Sequence, residues 1–301
     1  MKIDCNCPDY HDFEETFFYF NGIKYLEKKC KFCGYMVTEP EHGLKEDIYD
    51  LGHYQVRDLV FIPMLINLLD YFYFLSILMH NGLTRKSIFL DFGAGKGFLL
   101  LFLNLLGYKN LFGVETSRPR AEFSRNLTGL NISNDYYYGG AIMNRKYDFI
   151  TLIHVLEHIP EPFIFLDNLI DGACESDGCV FIEVPNINSF SSNIAGRRWA
   201  HFTPHFHTNH FTIASFKEYC VDRGLRFSVV SVFSFYHSAM GMTSAILSIF
   251  GYRGSIYEDL KSKNPKIILS FLVFLPTSIF LECLSSLFTK KGSVIKLIIY
   301  K

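Results

Sequence analysis

The chain carries no surplus of charge in either sign: 29 Lys and Arg stand against 30 Asp and Glu over 301 residues. Binding along a phosphate backbone rests on an excess of basic side chains, so the balance argues against a nucleic-acid partner. Charged residues make up only 20% and hydrophobic ones 49%, which excludes disordered and fibrous classes. Tryptophan is nearly missing, with a single residue. No internal repeat or low-complexity tract is visible. The first residues, MKIDCNCPDYHDFEE, hold no apolar run, so no secretory leader is expected and the chain reads as cytoplasmic.

What is abundant is aromatic surface. There are 31 Phe and 18 Tyr, and these must go into a large core, a partner or a membrane. The eight cysteines are also placed unevenly. Cys5 and Cys7 form one close pair, and Cys30 and Cys33, followed by Gly34, form another. In a reducing compartment such pairs read as metal ligands before disulfides. Four thiolates in two pairs suit a structural, tetrahedral zinc ion, and the segment between them reads as a hairpin around Asn21-Gly22.

From residue 87 onward, short apolar runs alternate with helical segments, the pattern of a parallel α/β sheet. Seven strands are expected, at Ile88–Phe92, Leu111–Glu115, Tyr136–Tyr138, Tyr147–Ile153, Cys179–Val184, Phe227–Phe233 and Val294–Tyr300. Helices fall between them, for example at Leu99–Leu106, Phe163–Ile170 and Ile213–Arg223. A long apolar stretch precedes the first strand, Leu59 to Met79, broken by Asn67 and Asp70 on one helical face. It reads as a helix packed on the sheet.

The first strand runs into Asp91-Phe92-Gly93-Ala94-Gly95-Lys96-Gly97. A glycine-rich turn at the carboxyl end of a parallel strand lets a ligand approach the backbone and a helix N-terminus. It is not the dinucleotide form, because Phe98 stands where a small residue is needed. The second strand ends in Gly113-Val114-Glu115-Thr116, where an acid can accept hydrogen bonds from ribose hydroxyls. The fourth closes on His154-Val155-Leu156-Glu157-His158.

In this order and spacing, LDFGAGKG, VET and FITLIHVLEH resemble a class I S-adenosylmethionine-dependent methyltransferase, in the branch whose fourth strand ends in "hvLEH". GCVFIEVPN and the stretch through His207, His210, Phe211 and Thr212 resemble later parts of that branch. The resemblance implies a seven-stranded Rossmann-like sheet with its last strand antiparallel and helices on both faces. It places S-adenosylmethionine over Asp91, Gly93, Ala94, Gly95, Gly97, Glu115, Thr116 and His154. The acid that often binds the adenine amine is missing after the expected third strand, which leads to Tyr138-Gly139-Gly140-Ala141.

Methyl transfer to oxygen or nitrogen also needs a proton acceptor, and histidine suits that role. His207 and His210 are the first candidates for the base, and His154 the next. Arg197, Arg198 and Trp199 precede this cluster and suit an anionic acceptor. The expected organisation is a four-cysteine, zinc-knuckle-like segment over residues 1–45, a helical lead-in over 46–86 and a methyltransferase domain over 87–301. An apolar insertion at 239–290 contains the run Ile267 to Phe288, flanked by lysines on both sides. A true crossing would strand the last β-strand beyond the bilayer, so burial or peripheral membrane contact is expected of 267–288. The expected reaction is O-methylation of a small molecule or a glycan- or lipid-linked intermediate. An RNA or protein methyltransferase, or a non-catalytic S-adenosylmethionine-binding scaffold, is the alternative.

Overall fold

The computed structural model of this chain describes residue 7 and residues 12–42, 67–135 and 145–301. Its centre is a seven-stranded sheet. The strands are β4 (Phe89–Phe92), β5 (Leu111–Val114), β6 (Asn131–Ser133), β7 (Tyr147–Ile153), β8 (Cys174–Pro185), β10 (Arg226–Val232) and β11 (Val294–Tyr300). Their order across the sheet is β6-β5-β4-β7-β8-β11-β10. β11 runs antiparallel to both its neighbours, whereas β4 to β8 pair in parallel. All four residues of β4, Phe-Leu-Asp-Phe, are buried, as expected of a central strand covered on both faces.

Helices cover both faces of the sheet. They are α1 (Leu68–His80), α2 (Phe98–Leu105), α3 (Arg118–Thr128), α4 (Pro162–Ala173), α5 (Phe190–Ala195) and α6 (Ile213–Asp222), followed by α7 (Phe235–Ile249), α8 (Ile256–Lys261) and α9 (Pro265–Thr289). One core cluster gathers Leu166, Leu169, Phe216 and Tyr219 against Ile150, Ile182 and Ile295. A second packs Phe74 and Leu78 of α1 with Leu99, Leu103 and Phe181. Thr212 caps α6 by a reciprocal pair with Ser215, each side chain accepting the other's backbone N–H.

One expected strand is misplaced. Residues 136–138 lie outside the described residues, and the third strand position is taken by β6 at Asn131–Ser133. The triple tyrosine has strong strand propensity, but the chain leaves α3 through Gly129 (φ +67) and enters the sheet at once.

The N-terminal segment forms a second sheet, β1 (Phe13–Phe20), β2 (Ile23–Cys30) and β3 (Met36–Pro40), closed by β9 (Asn209–His210). Asn21 and Gly22, both at positive φ, make the hairpin turn. β3 pairs with β9 through Met36↔His210 and Val37↔Asn209, so the segment is built onto the larger domain. Tyr35 seals the joint, packed at 5.4 Å from both Phe163 and Phe211 and donating its hydroxyl to Asn209 Oδ1.

Candidate functional site

Strand order reverses between β4 and β7, with β5 and β6 laid to one side and β8 to the other. Ligands in open α/β sheets bind at the carboxyl ends of the strands at such a point. A cavity of about 460 Å³ opens there. Its wall includes Gly93 and Gly95 after β4, Glu115 and Thr116 after β5, and His154 and His158 after β7. Such a volume lies in the ~300–1,000 Å³ range of small-molecule sites.

Each part of the turn has a separate task. The N–H groups of Gly93 and Ala94 both donate to Val114 O at 2.8 Å, which ties the turn to β5. A Cβ on Gly97 would lie 2.1 Å from Ser124 Oγ, so this glycine serves the packing of α2 on α3 and does not line the cavity. At Gly95 the nearest atom to a Cβ is Gly93 O at 4.0 Å, so that position faces open space. Asp91 and Ala94 are buried beneath the turn, and neither lines the cavity. Thr151 Oγ1 donates to Asp91 Oδ1 at 2.8 Å. Burial pushes the Asp91 carboxyl up to about 7, with Glu115 adding to this and Thr151 opposing it.

Glu115 is 6% exposed and accepts two backbone N–H groups, from Gly95 and from Ser117, each at 2.8 Å. A carboxylate has about four acceptor positions, so two remain for a ligand. The placement of β6 also alters the reading of the third strand. The residues that follow it are Asn134 and Asp135, so an acid stands where none was expected. Asn134 Nδ2 donates to the carbonyls of Glu115 and Thr116, which fixes this loop beside the cavity.

His154 is the residue most constrained by its surroundings. Its φ is +54, a left-handed backbone that costs a non-glycine residue about 1–2 kcal/mol. Its N–H donates to Glu183 O at 2.8 Å, and its ring lies between Glu157 Oε1 at 3.2 Å and Glu183 Oε1 at 3.4 Å. Burial lowers the affinity of the ring for a proton, but the hydrogen bonds and charges of the two glutamates outweigh it and carry the pKa up to about 9. Burial likewise raises both glutamates, yet the cations beside them hold each at about 2. Glu183 also meets Lys296 Nζ at 3.1 Å, so a buried chain of alternating charge runs Glu157, His154, Glu183, Lys296. An imidazole already protonated near neutrality donates hydrogen bonds and is not a base.

The other two candidate bases do not reach the cavity lining. His210 is held in β9, stacked on Phe202 with ring centres 5.0 Å apart and its Nε2 3.2 Å from Thr38 Oγ1. His207 donates from Nδ1 to His201 O at 2.8 Å, and burial holds its pKa well below the usual value. Both belong to the segment that docks the N-terminal sheet, a demand of tertiary structure that spacing alone does not reveal. Arg197 and Trp199 are likewise engaged elsewhere. Arg197 pairs with Glu27 at 3.1 Å, and the buried Trp199 donates to Ser191 Oγ at 3.2 Å. Arg197 and Arg198 border a separate cavity of about 250 Å³.

Several wall residues were not singled out as site residues in the sequence: Asp70 and Tyr71 of α1, Glu183 of β8, and His237 of α7. A signal existed for Asp70, since it and Asn67 interrupt an apolar run on one helical face, and both line the cavity. Asp70 accepts from Phe235 N and Ser234 Oγ, which joins α1 to the start of α7. His237 stacks on His154 with ring centres 3.6 Å apart. It lies near the start of α7, two residues before the apolar insertion, where no site signal was read in the sequence.

Away from the cavity, Cys7, Cys30 and Cys33 converge, their sulfur atoms within 4.8 Å of one another. Cys5 lies outside the described residues. The Cys7 and Cys30 sulfurs are 3.7 Å apart, and the edge of a tetrahedral zinc–thiolate site with ~2.3 Å bonds is about 3.8 Å. The turn between Cys30 and Gly34 is closed by Gly34 N–H to Cys30 O at 2.9 Å, and Thr212 Oγ1 donates to Cys33 O. This donor set fits zinc.

Residues 72–231 match the sequence family described as a methyltransferase domain, which is more than half of the chain. The chain belongs to this methyltransferase family. No curated protein sequence matches it. Among solved structures, the methyltransferase resembles the plantazolicin methyltransferase BpumL in complex with a triazolic desmethylPZN analog and SAH. Identity there is 15%, over 80% of this chain and 86% of that one, with a TM-score of 0.51. BpumL in complex with SAH gives 14% identity, 79% and 84% coverage, and a TM-score of 0.50. These two likenesses establish the methyltransferase fold. Coclaurine N-methyltransferase is also similar, at 16% identity, 77% and 72% coverage, and a TM-score of 0.45.

Proposed function

We propose that this methyltransferase uses S-adenosylmethionine to methylate an oxygen of a small-molecule or a glycan- or lipid-linked acceptor. The observation that carries the reading is the meeting of Gly93, Gly95, Glu115, Thr116 and His154 around one cavity at the point where strand order reverses. S-adenosylmethionine supplies an electrophilic methyl group for in-line displacement by the acceptor. Glu115 would accept from the ribose hydroxyls through its remaining lone pairs, and Asp135 would accept from the adenine amine. His154, with both ring nitrogens held between Glu157 and Glu183, would present its ring to the cavity. Its fixed position orients the reactants, and alignment alone supplies roughly 7–11 kcal/mol in well-ordered sites. Away from the chemistry, Cys7, Cys30 and Cys33, with Cys5 as the fourth ligand, would hold a structural zinc ion that stiffens the joint between the two sheets.

Calorimetry with S-adenosylmethionine and S-adenosylhomocysteine tests this. The native chain is expected to bind both. Glu115→Ala should weaken them at least tenfold, since a charge-assisted hydrogen bond contributes about 1.5–3 kcal/mol. Equal binding by the two proteins would remove Glu115 from the site, and no binding by the native chain would remove the function.

A further inference from the structure

Behind His158, on the cavity wall, Glu157 meets two imidazoles that the reading above does not use. Glu157, His158 and His207 offer one ligand atom each, all within 4.8 Å of one another. The two imidazoles are oriented alike. His158 Nδ1 lies 2.8 Å from Phe206 O, and His207 Nδ1 lies 2.8 Å from His201 O. A carbonyl oxygen only accepts, so each Nδ1 carries the proton and each Nε2 presents a lone pair. That arrangement is how metal-bound histidines are held, with the second nitrogen donating to a carbonyl or carboxylate. The two rings sit edge to face with centres 4.8 Å apart. Glu157 supplies an independent sign. It is 1% exposed, its Oε1 faces His154, and its Oε2 is buried with no hydrogen-bond partner. An orphaned buried carboxylate oxygen is costly unless something fills its place.

We propose that Glu157, His158 and His207 form a binding site for a divalent first-row transition cation at the edge of the cavity. Two imidazoles and one carboxylate suit such an ion and leave coordination positions open. Ligands about 2.1 Å from one ion lie roughly 3–4 Å apart, so small side-chain rotations close the site. The cation site stands on this geometry alone. Its use in catalysis rests on the proposed methyl transfer, and it names the acceptor class: a hydroxyl able to bind a metal. An oxygen bound to the cation loses its proton to water. It then forms the bond to the methyl carbon, while the carbon–sulfur bond breaks with its electron pair left on sulfur, yielding S-adenosylhomocysteine.

The test is titration of the metal-stripped chain with Mn²⁺, followed by the electron paramagnetic resonance of the free ion. Mn²⁺ prefers oxygen and nitrogen ligands, which separates this site from the cysteine cluster. One ion per chain should bind, at least tenfold more weakly in His207→Ala. Calorimetry with S-adenosylmethionine on that variant reports the cofactor site separately, because His207 does not line the cavity. Binding of Mn²⁺ weaker than millimolar, or equal binding by the variant, would overturn the site. Should His207→Ala not fold, Co²⁺ loaded into the native chain decides. Visible bands of a nitrogen–oxygen site beside those of thiolate ligation support the proposal, and thiolate bands alone sink it.

A separate observation concerns α9. Its fully buried positions are Ile267, Ser278, Glu282 and Ser285, three of them polar, and Phe271, Phe274 and Leu281 pack partly buried against the domain beside them. Ser278 bonds Thr243, and Glu282 accepts from Ser293 N at 2.7 Å. The opposite stripe, Leu269, Leu272, Val273, Phe280 and Leu287, is apolar and between 59% and 74% exposed. Exposed Ile249 and Phe250 widen it, with Phe250 stacked on Phe274. No acid lies between Lys263 and Lys291 except the buried Glu282, while Lys263, Lys266, Lys290 and Lys291 stand exposed at the two ends. The helix is long and apolar enough to cross a bilayer, but the chain passes from it into β11 within five residues, and β11 lies between β8 and β10. It therefore lies along a surface.

We infer that this stripe rests in the interface of an anionic lipid bilayer, with the lysines at the headgroups. Vesicles of phosphatidylglycerol and phosphatidylcholine should sediment the native chain at low salt. Phosphatidylcholine alone should bind it less, by about fivefold for each lysine engaged. Leu272→Glu with Phe280→Glu, both on the exposed face, should lower binding more than tenfold. A native chain that ignores anionic vesicles overturns the inference. So does a dimer that the double variant converts to monomers, which would make the stripe a contact between copies.

Discussion

Replacing Glu183 by Gln perturbs the charge chain that holds His154. Lys296 Nζ lies 3.1 Å from Glu183, and its side chain is only 4% exposed. The variant therefore leaves a buried ammonium group facing a neutral amide. Removing one member of a buried ion pair costs about 3–5 kcal/mol. Each kcal/mol moves the melting midpoint of a domain of this size by about 2–4 °C, so Tm at pH 7 should fall by about 6–20 °C. His154 loses one of its two carboxylates at the same time, and its pKa should move down from about 9 toward 6.5. Calorimetric melting reads the first effect, and the ring resonances of His154 followed through pH read the second. The double variant Glu183→Gln with Lys296→Met removes both charges and should recover most of the loss, because neither is left uncompensated. If Glu183→Gln melts within about 2 °C of the native chain, or His154 titrates as before, the reasoning about this network is wrong.

Other expectations follow from the same geometry. The His154 contribution to stability is fully present below pH 6.5 and lost as pH rises through about 9, on the order of 3 kcal/mol in all. Urea unfolding between pH 6 and pH 10 should show that slope, flattened in Glu183→Gln. At the acid end, the stability contributed by Glu157 and Glu183 is present above pH 4.5 and lost as pH falls toward about 2. Gly97→Ala drives a Cβ into Ser124 at a φ of +78 and should unfold at a markedly lower temperature. Gly95→Ala meets no atom closer than 4.0 Å and should lose only the ~1–2 kcal/mol of a left-handed backbone, while weakening cofactor binding. Metal analysis of the purified chain should give a zinc ion at the cysteine cluster, and its removal by a strong chelator should lower Tm. The same melting curve with and without chelator would count against a structural metal.

Much of the central sheet was legible because its signals are local. β4, β7 and β11 are short apolar runs bounded by turns, and the residues after β4 and β7 line the cavity. Glu115 could be named from its place at the end of β5, and the cavity has it. Asp135 was not expected at the end of the third strand because the aromatic run after it has the stronger strand propensity. Glu183 sits inside a segment read for its apolar residues, and its role appears only when β8 lies beside β11 and brings Lys296 to it. His207 and His210 were both read as candidate bases, yet the fold turns them to different duties. His210 holds β3, and His207 backs the cavity through His158.

The sequence by itself determined the class of fold, the glycine turn, the acid at the second strand end and the paired cysteines, because each follows from residue type and spacing along one stretch of chain. Tertiary structure alone decided the charge state of His154, the wall contributed by α1 and α7, and which face of α9 is exposed. Those depend on side chains brought together from distant stretches of the chain. The aromatic excess divides along the same line. Much of it fills the core of the sheet, and exposed aromatic side chains stand on α9 at Phe280 and Phe288 and elsewhere at Phe17, Tyr19, Phe32 and Phe72.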